Sequence, residues 1–228
     1  VSVTFPVTVE SDVAHGQSNI QFAMSGVTSG QPIVVTILGN DPANIKNYTL
    51  SDDFGTPYTW TLVENGEDDA NSDACVTWIG TGGAGTSGTI TVSGATLSGA
   101  YVGGVAIAAS GASTASGLLA IDVRTTSGGT ADTVATLTLT PSASGEGALF
   151  FCSAPAGFTS PPSSPFVNTL ISFGAYKKGY SSVYASPASG SPLACAWVLA
   201  GSETWQGTAL ILKAPGAPAP KSGMLLVA

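Results

Sequence analysis

The densest group of chemically capable side chains is Glu64-Asn65-Gly66-Glu67-Asp68-Asp69-Ala70-Asn71-Ser72-Asp73. Calcium gathers six to eight hard oxygens at once, and Glu64, Glu67, Asp68, Asp69 and Asp73 offer carboxylates along one short stretch. These five residues are the candidate metal ligands, with Ca²⁺ the only cofactor the sequence suggests. The spacing is not the alternating pattern of an EF-hand, and acidic tips also keep sheets from associating. Both uses stay open.

Aromatic rings are the second resource, because their flat apolar faces stack on sugars. Trp60, Trp78 and Trp197 sit within apolar alternation and are expected in the core. Trp205, flanked by Glu203, Thr204 and Gln206, is the glycan-stacking candidate and is expected to be exposed.

Covalent catalysis finds little to work with. A serine nucleophile needs a neighbouring base, and the single histidine, His15, lies in the polar turn Ala14-His15-Gly16-Gln17. Neither Gly-x-Ser-x-Gly nor a phosphate-binding Gly-x-x-x-x-Gly-Lys-Ser/Thr loop occurs. Cys75, Cys152 and Cys195 are an odd number without zinc spacing and read as buried thiols. Glu10, Glu64, Glu67, Glu146 and Glu203 have no spacing that favours a glycosidase pair. The chain is therefore read as non-enzymatic, with no catalytic residues and no residues for an organic cofactor.

The elements that must carry these residues are strands. Apolar and hydroxyl residues alternate with period two: Tyr58, Trp60 and Leu62 oppose Thr59, Thr61 and Val63, and Ala135, Leu137 and Leu139 oppose Thr136, Thr138 and Thr140. Turn clusters such as Ser29-Gly30-Gln31-Pro32, Ser127-Gly128-Gly129 and Ser189-Gly190-Ser191-Pro192 separate the ladders. The segment 154–165, with four prolines, reads as a loop or crossover, and Tyr176-Lys177-Lys178-Gly179-Tyr180 as a hairpin turn. Many short strands of this kind predict an all-β fold, an antiparallel two-sheet β-sandwich of jelly-roll or immunoglobulin-like type. Residues 1–213 are expected to form a single such domain, followed by 214–228.

That last stretch has its own logic. Ala214-Pro215-Gly216-Ala217-Pro218-Ala219-Pro220 reads as an extended tether. Beyond it, Met224, Leu225, Leu226 and Val227 form a short apolar strand that must find a sheet edge or groove. It either closes its own sandwich or adds to a neighbouring subunit, which makes these four the candidate assembly residues.

Charge narrows the partners. Only 9% of residues are charged, with six Lys and Arg against fourteen Asp and Glu, so no basic patch awaits nucleic acid. No apolar run approaches the roughly 18 residues of a membrane span, and the start of the chain shows no signal-peptide pattern. Asn47-Tyr48-Thr49 is a glycosylation sequon, relevant only in a glycosylating host.

Three blocks carry a family resemblance: Asp52-Asp53-Phe54-Gly55-Thr56-Pro57-Tyr58-Thr59-Trp60, Val76-Thr77-Trp78, and Gly85-Thr86-Ser87-Gly88-Thr89-Ile90-Thr91-Val92. With Ala156-Gly157-Phe158-Thr159, Ala175-Tyr176-Lys177 and Trp205 to Lys213, the chain resembles β-sandwich structural and accessory proteins of bacteriophage virions and bacterial surfaces. The resemblance implies a structural protein of a virion exterior (decoration, coat or tail-associated) or an extracellular filament, and supplies no active site. The expected location is then the virion surface or the extracellular space. Expected partners are copies of the chain and other virion or filament subunits. The alternative is a carbohydrate-binding or adhesion module, whose partner would be a host-surface glycan.

Overall fold

The computed structural model describes residues 2–12, 19–39, 45, 47–68, 73–94, 101–173 and 177–216. Among them the regular elements are antiparallel strands and one short 3-10 turn, and no helix is long and apolar enough to cross a membrane. The all-β antiparallel sandwich class follows.

The first eight strands are β1 (Thr4–Asp12), β2 (Asn19–Ser25), β3 (Ile33–Gly39), β4 (Thr49–Asp52), β5 (Thr59–Asp68), β6 (Asp73–Thr81), β7 (Ser87–Ser93) and β8 (Val102–Ser110). They form one sheet in the order β1-β8-β3-β6-β5 and another in the order β2-β7-β4. Strand one pairs with eight, two with seven and three with six, while successive strands alternate between sheets from β1 to β4. A folded ribbon of that pattern is a jelly roll. One strand departs from it, since β5 joins β6 at the edge of the larger sheet instead of pairing with β4.

Burial distinguishes the two sheets. β2 alternates exposed and buried residues, as expected where one face meets water, whereas β3 and β8 are buried on both faces almost throughout. The apolar runs Ile33-Val34-Val35 and Val105-Ala106-Ile107 are the sequence counterpart of that double burial. One face of the larger sheet packs on β2, β7 and β4 around Phe22, Ile37, Ile90 and Trp78. The other packs on the second half of the chain.

That half contains β9 (Ile121–Leu139), β10 (Gly147–Ala154), β11 (Phe158–Ser160), β12 (Val167–Phe173), β13 (Lys177–Ala185) and β14 (Leu193–Leu212). β9 and β14 pair along nearly their whole length, with register shifts between Val198 and Trp205. The ribbon bends there. Trp197 lies two strands from β13 in hydrogen-bonding order, yet its Nε1–H donates to Ser182 Oγ on β13 at 3.2 Å. Residues 193–199 are therefore folded over the face of β10 and β13, enclosing Phe150, Cys152, Trp197 and Ile211.

Counting each arm of the bent ribbon as a strand reproduces the first half. The larger sheet reads β9(121–129)-β14(205–212)-β10-β13-β12, and the smaller reads β9(134–139)-β14(193–198)-β11. This is the order of β1-β8-β3-β6-β5 and β2-β7-β4, strand for strand. The described strands thus form two jelly rolls of one topology, within the antiparallel β-sandwich class that the sequence predicts.

The rolls meet through their larger sheets. β5 faces β9, β1 faces β12, and β3 faces β10, which makes the packing approximately two-fold about the β3/β10 centre. Val34, Leu38, Ile79 and Ile107 from the first roll meet Leu149, Phe151, Leu210 and Leu212 from the second. A chain of buried hydroxyls crosses this apolar layer: Thr36 Oγ1 to Thr77 Oγ1 at 2.9 Å, and Thr77 Oγ1 to Thr208 Oγ1 at 2.7 Å. Such a chain sets the register between layers, because any slip would leave hydroxyls unpaired in an apolar setting.

Candidate functional site

The two sides of the inter-roll seam differ. On the β5/β9 side, Arg124 Nε meets Glu64 Oε1 at 2.8 Å, and the linker turn Gly117–Ala120 lies against β5 and β6. Gly117 N–H donates to Thr81 Oγ1 at 2.9 Å. Its φ of +53° and the nearness of Thr61 Oγ1, 2.9 Å from where a Cβ would stand, both call for glycine. This seam carries an ion pair and a strap, with a pocket of about 350 Å³ beside them lined by Thr59, Thr61, Thr81 and Leu118.

The β1/β12 side of the seam has two grooves. A groove of about 340 Å³ runs between β1 and the β12/β13 edge, walled by Phe5, Val167, Val183 and Tyr184. A second groove of about 310 Å³ continues along the same line past Glu10, Leu170 and Ser172. Val167 is 69% exposed and Leu170 is 40% exposed, although both belong to a strand without charged residues. This uncharged edge strand beside the groove offers apolar contact area.

The residues singled out in the sequence do not collect there. Glu64 to Asp68 belong to β5 and Asp73 to β6, so the acidic stretch is mostly paired strand and not a free loop. Glu67 pairs in register with Ala74, and Asp68 with Asp73. Asp69 lies outside the described residues. Glu64 is engaged by Arg124, and among the described residues no three His, Cys, Asp or Glu are grouped to hold a metal. Met224, Leu225, Leu226, Val227 and His15 lie outside the described residues.

Trp205 corrects an expectation: it is buried, and its Nε1–H donates to Asp132 Oδ2 at 2.9 Å. Its polar neighbours had suggested exposure, but the bulged ribbon turns the ring inward over Gly129, where a Cβ would come within 2.6 Å of the indole nitrogen. Trp78 and Trp197 are core residues as expected, and Trp60 is half-buried. The basic pair Lys177-Lys178 starts strand β13 instead of forming a turn. All three cysteines are buried free thiols, and burial pushes Cys75 up to about 12 despite its contact with Thr208.

The Asp52-to-Trp60 block has a structural explanation. Asp52 Oδ2 accepts from Tyr58 N–H and Trp60 Nε1–H, each at 3.0 Å, while Asp53 Oδ1 accepts from Thr89 N–H. Phe54 and Tyr58 meet edge to face with centroids 5.2 Å apart. One carboxylate thus fixes the turn into β5. A buried carboxyl, Glu146, accepts from Ala143 N–H; burial is the largest influence raising its pKa, and Asp122 adds to it. The nearness of Asp122 to Glu146 was not visible in the linear pattern, since Asp122 lies on β9 and Glu146 in the turn before β10.

Comparison of the chain with protein-family models, with curated proteins and with solved structures found no match.

Proposed function

We propose that this chain is a non-enzymatic structural protein of a virion exterior or an extracellular filament, assembling with copies of itself and with other subunits. The observation that carries the reading is the pair of jelly rolls fused through their larger sheets. Fusion buries the most apolar sheet faces and leaves a slab whose outer strands are rich in hydroxyls and poor in charge. Jelly rolls serve in capsids and in lectins, so the fold supports this direction by analogy only.

The exposed apolar residues add a physical argument. Val134 and Val198 are cross-strand partners, 45% and 41% exposed, on the far arm of the β9–β14 ribbon. Leu118 and Leu119 are 38% and 65% exposed on the linker turn. Two unlike patches on one subunit favour head-to-tail contacts, which build rings or filaments. The adhesion-module reading relied on an exposed Trp205 ring, and that ring is buried.

Sedimentation and electron microscopy of the full chain over a wide concentration range test the proposal. Ordered particles or fibres are expected, with little dependence on salt because so few charges are involved. V134D/V198D should reduce assembly while leaving the circular dichroism unchanged. A chain that stays monomeric at every concentration overturns the reading.

A further inference from the structure

Of the four strands that end the two larger sheets, three carry the features that keep an edge from pairing. β1 contains Pro6, Glu10 and Asp12, with a register shift between Thr4 and Val7. β5 contains Glu64, Glu67 and Asp68, with a shift between Leu62 and Glu64. The 121–129 arm of β9 contains Asp122 and Arg124, with a shift between its partners Leu210 and Leu212. Proline, charge and bulges each discourage a further strand from adding to an edge. β12 has none of them. Val167–Phe173 contains no proline and no charged residue, its ladder with β13 runs without a shift, and it is the last strand of its sheet. Among the described edge strands it alone exposes two large apolar side chains, Val167 and Leu170.

The sequence of β12 also identifies the strand that fits it. Val167-Asn168-Thr169-Leu170-Ile171-Ser172-Phe173 reads alike from both ends: an apolar residue, a polar one, a β-branched one, then the central leucine. Laid antiparallel on a second copy about a two-fold axis at Leu170, it sets Val167 opposite Phe173, Asn168 opposite Ser172, Thr169 opposite Ile171 and Leu170 opposite itself. Residues of matching kind then meet at every position, as stable cross-strand pairs require, and the contact is self-complementary. Charge points the same way. The chain carries a net charge of −8, so an uncharged strip is where two copies can meet without repulsion. Glu10, the one charged residue among the described residues that line the two grooves, stands on β1 and not on the pairing edge.

We propose that β12 pairs antiparallel with β12 of a second copy, centred on Leu170, so that the larger sheets of two second rolls become one continuous sheet. The proposal rests on the assembly reading above and names one of its contacts. A pair of seven-residue strands is about 23 Å long at roughly 3.3 Å per residue, small beside a standard interface, so it acts as one contact in a repeating assembly and not as a tight isolated dimer.

Disulfide trapping in the full chain tests the pairing, because Cys75, Cys152 and Cys195 are buried. Across the axis two copies of residue 170 lie about 4.5–5.5 Å apart between Cα atoms, within reach of a disulfide, whereas two copies of residue 167 are offset along the strands by about 20 Å. L170C should therefore form linked dimers at least about tenfold faster than V167C. Random collision predicts the opposite order, since Val167 is 69% exposed and Leu170 40%. L170K, which sets like charges opposite each other at the centre of the pair, should raise the concentration needed for assembly by at least about tenfold with unchanged circular dichroism. An L170C rate equal to or below that of V167C, or L170K assembly at the same concentration as the natural chain, overturns the pairing and leaves the assembly reading standing. A chain that is monomeric at every concentration overturns both.

Discussion

Replacing Thr77 by valine should show how firmly the two rolls are locked together. Thr77 is fully buried at the centre of the hydroxyl chain, bonded to Thr36 at 2.9 Å and to Thr208 at 2.7 Å. Its removal deletes two hydrogen bonds, each worth about 1 kcal/mol net, and leaves Thr36 without that partner in an apolar layer for roughly another 1 kcal/mol. The expected loss is about 3 kcal/mol, or a melting temperature lower by roughly 6–12 °C for a chain of this size. Thr208 keeps its contact with Cys75 Sγ at 3.4 Å and loses less. The triple variant T36V/T77V/T208V discriminates, because exchanging every partner for an apolar group of similar shape approaches neutrality. Urea unfolding with unchanged slope is the assay. A T77V loss below about 0.5 kcal/mol, or a triple variant as unstable as the sum of its singles, would refute the locking argument.

Three further outcomes are expected. W205F should lose about 1.5–3 kcal/mol, the value of a buried hydrogen bond to a carboxylate, and a loss below that range in urea melts would mean the indole bond to Asp132 contributes little. Glu146 holds its proton more tightly folded than unfolded, so its contribution to stability falls as pH rises above the ordinary carboxylate range. E146Q should match the natural chain at low pH and exceed it increasingly toward neutrality, whereas a pH-independent difference in melting temperature would contradict this. Because Glu64 is held by a partly exposed Arg124, E64Q should cost less than about 1 kcal/mol, and melting should be the same with chelator as with millimolar calcium.

The strands were legible wherever alternation ran for six or more residues, as in 87–93 and 133–139. Misreadings have specific causes. Ser127-Gly128-Gly129 looked like a turn, but glycine still offers N–H and C=O groups, and these pair with Gly207, Gln206 and Trp205 to make β9 continuous. Thr49–Asp52 and Phe158–Ser160 are too short to display a period, so β4 and β11 escaped notice. The repeat was hidden because the two halves share positions of burial more than identities; Gly104-Val105-Ala106-Ile107 against Gly207-Thr208-Ala209-Leu210 was the one usable signal. The groove could not be read at all, since Phe5, Val167 and Val183 converge only after the sheets have packed.

Joining the two-fold-like halves in one chain also changes what dilution can do. A homodimer built on this interface would separate below its dissociation constant, whereas here each half sees the other at the high effective concentration set by residues 111–120. Fusion frees the halves from identity as well. In a symmetric dimer Glu64–Arg124 would have to occur on both flanks, but here one flank carries the ion pair and the strand registers place Thr169 and Thr8 at the matching positions of the other. The two flanks are therefore chemically distinct, a polarity that no symmetric pair possesses.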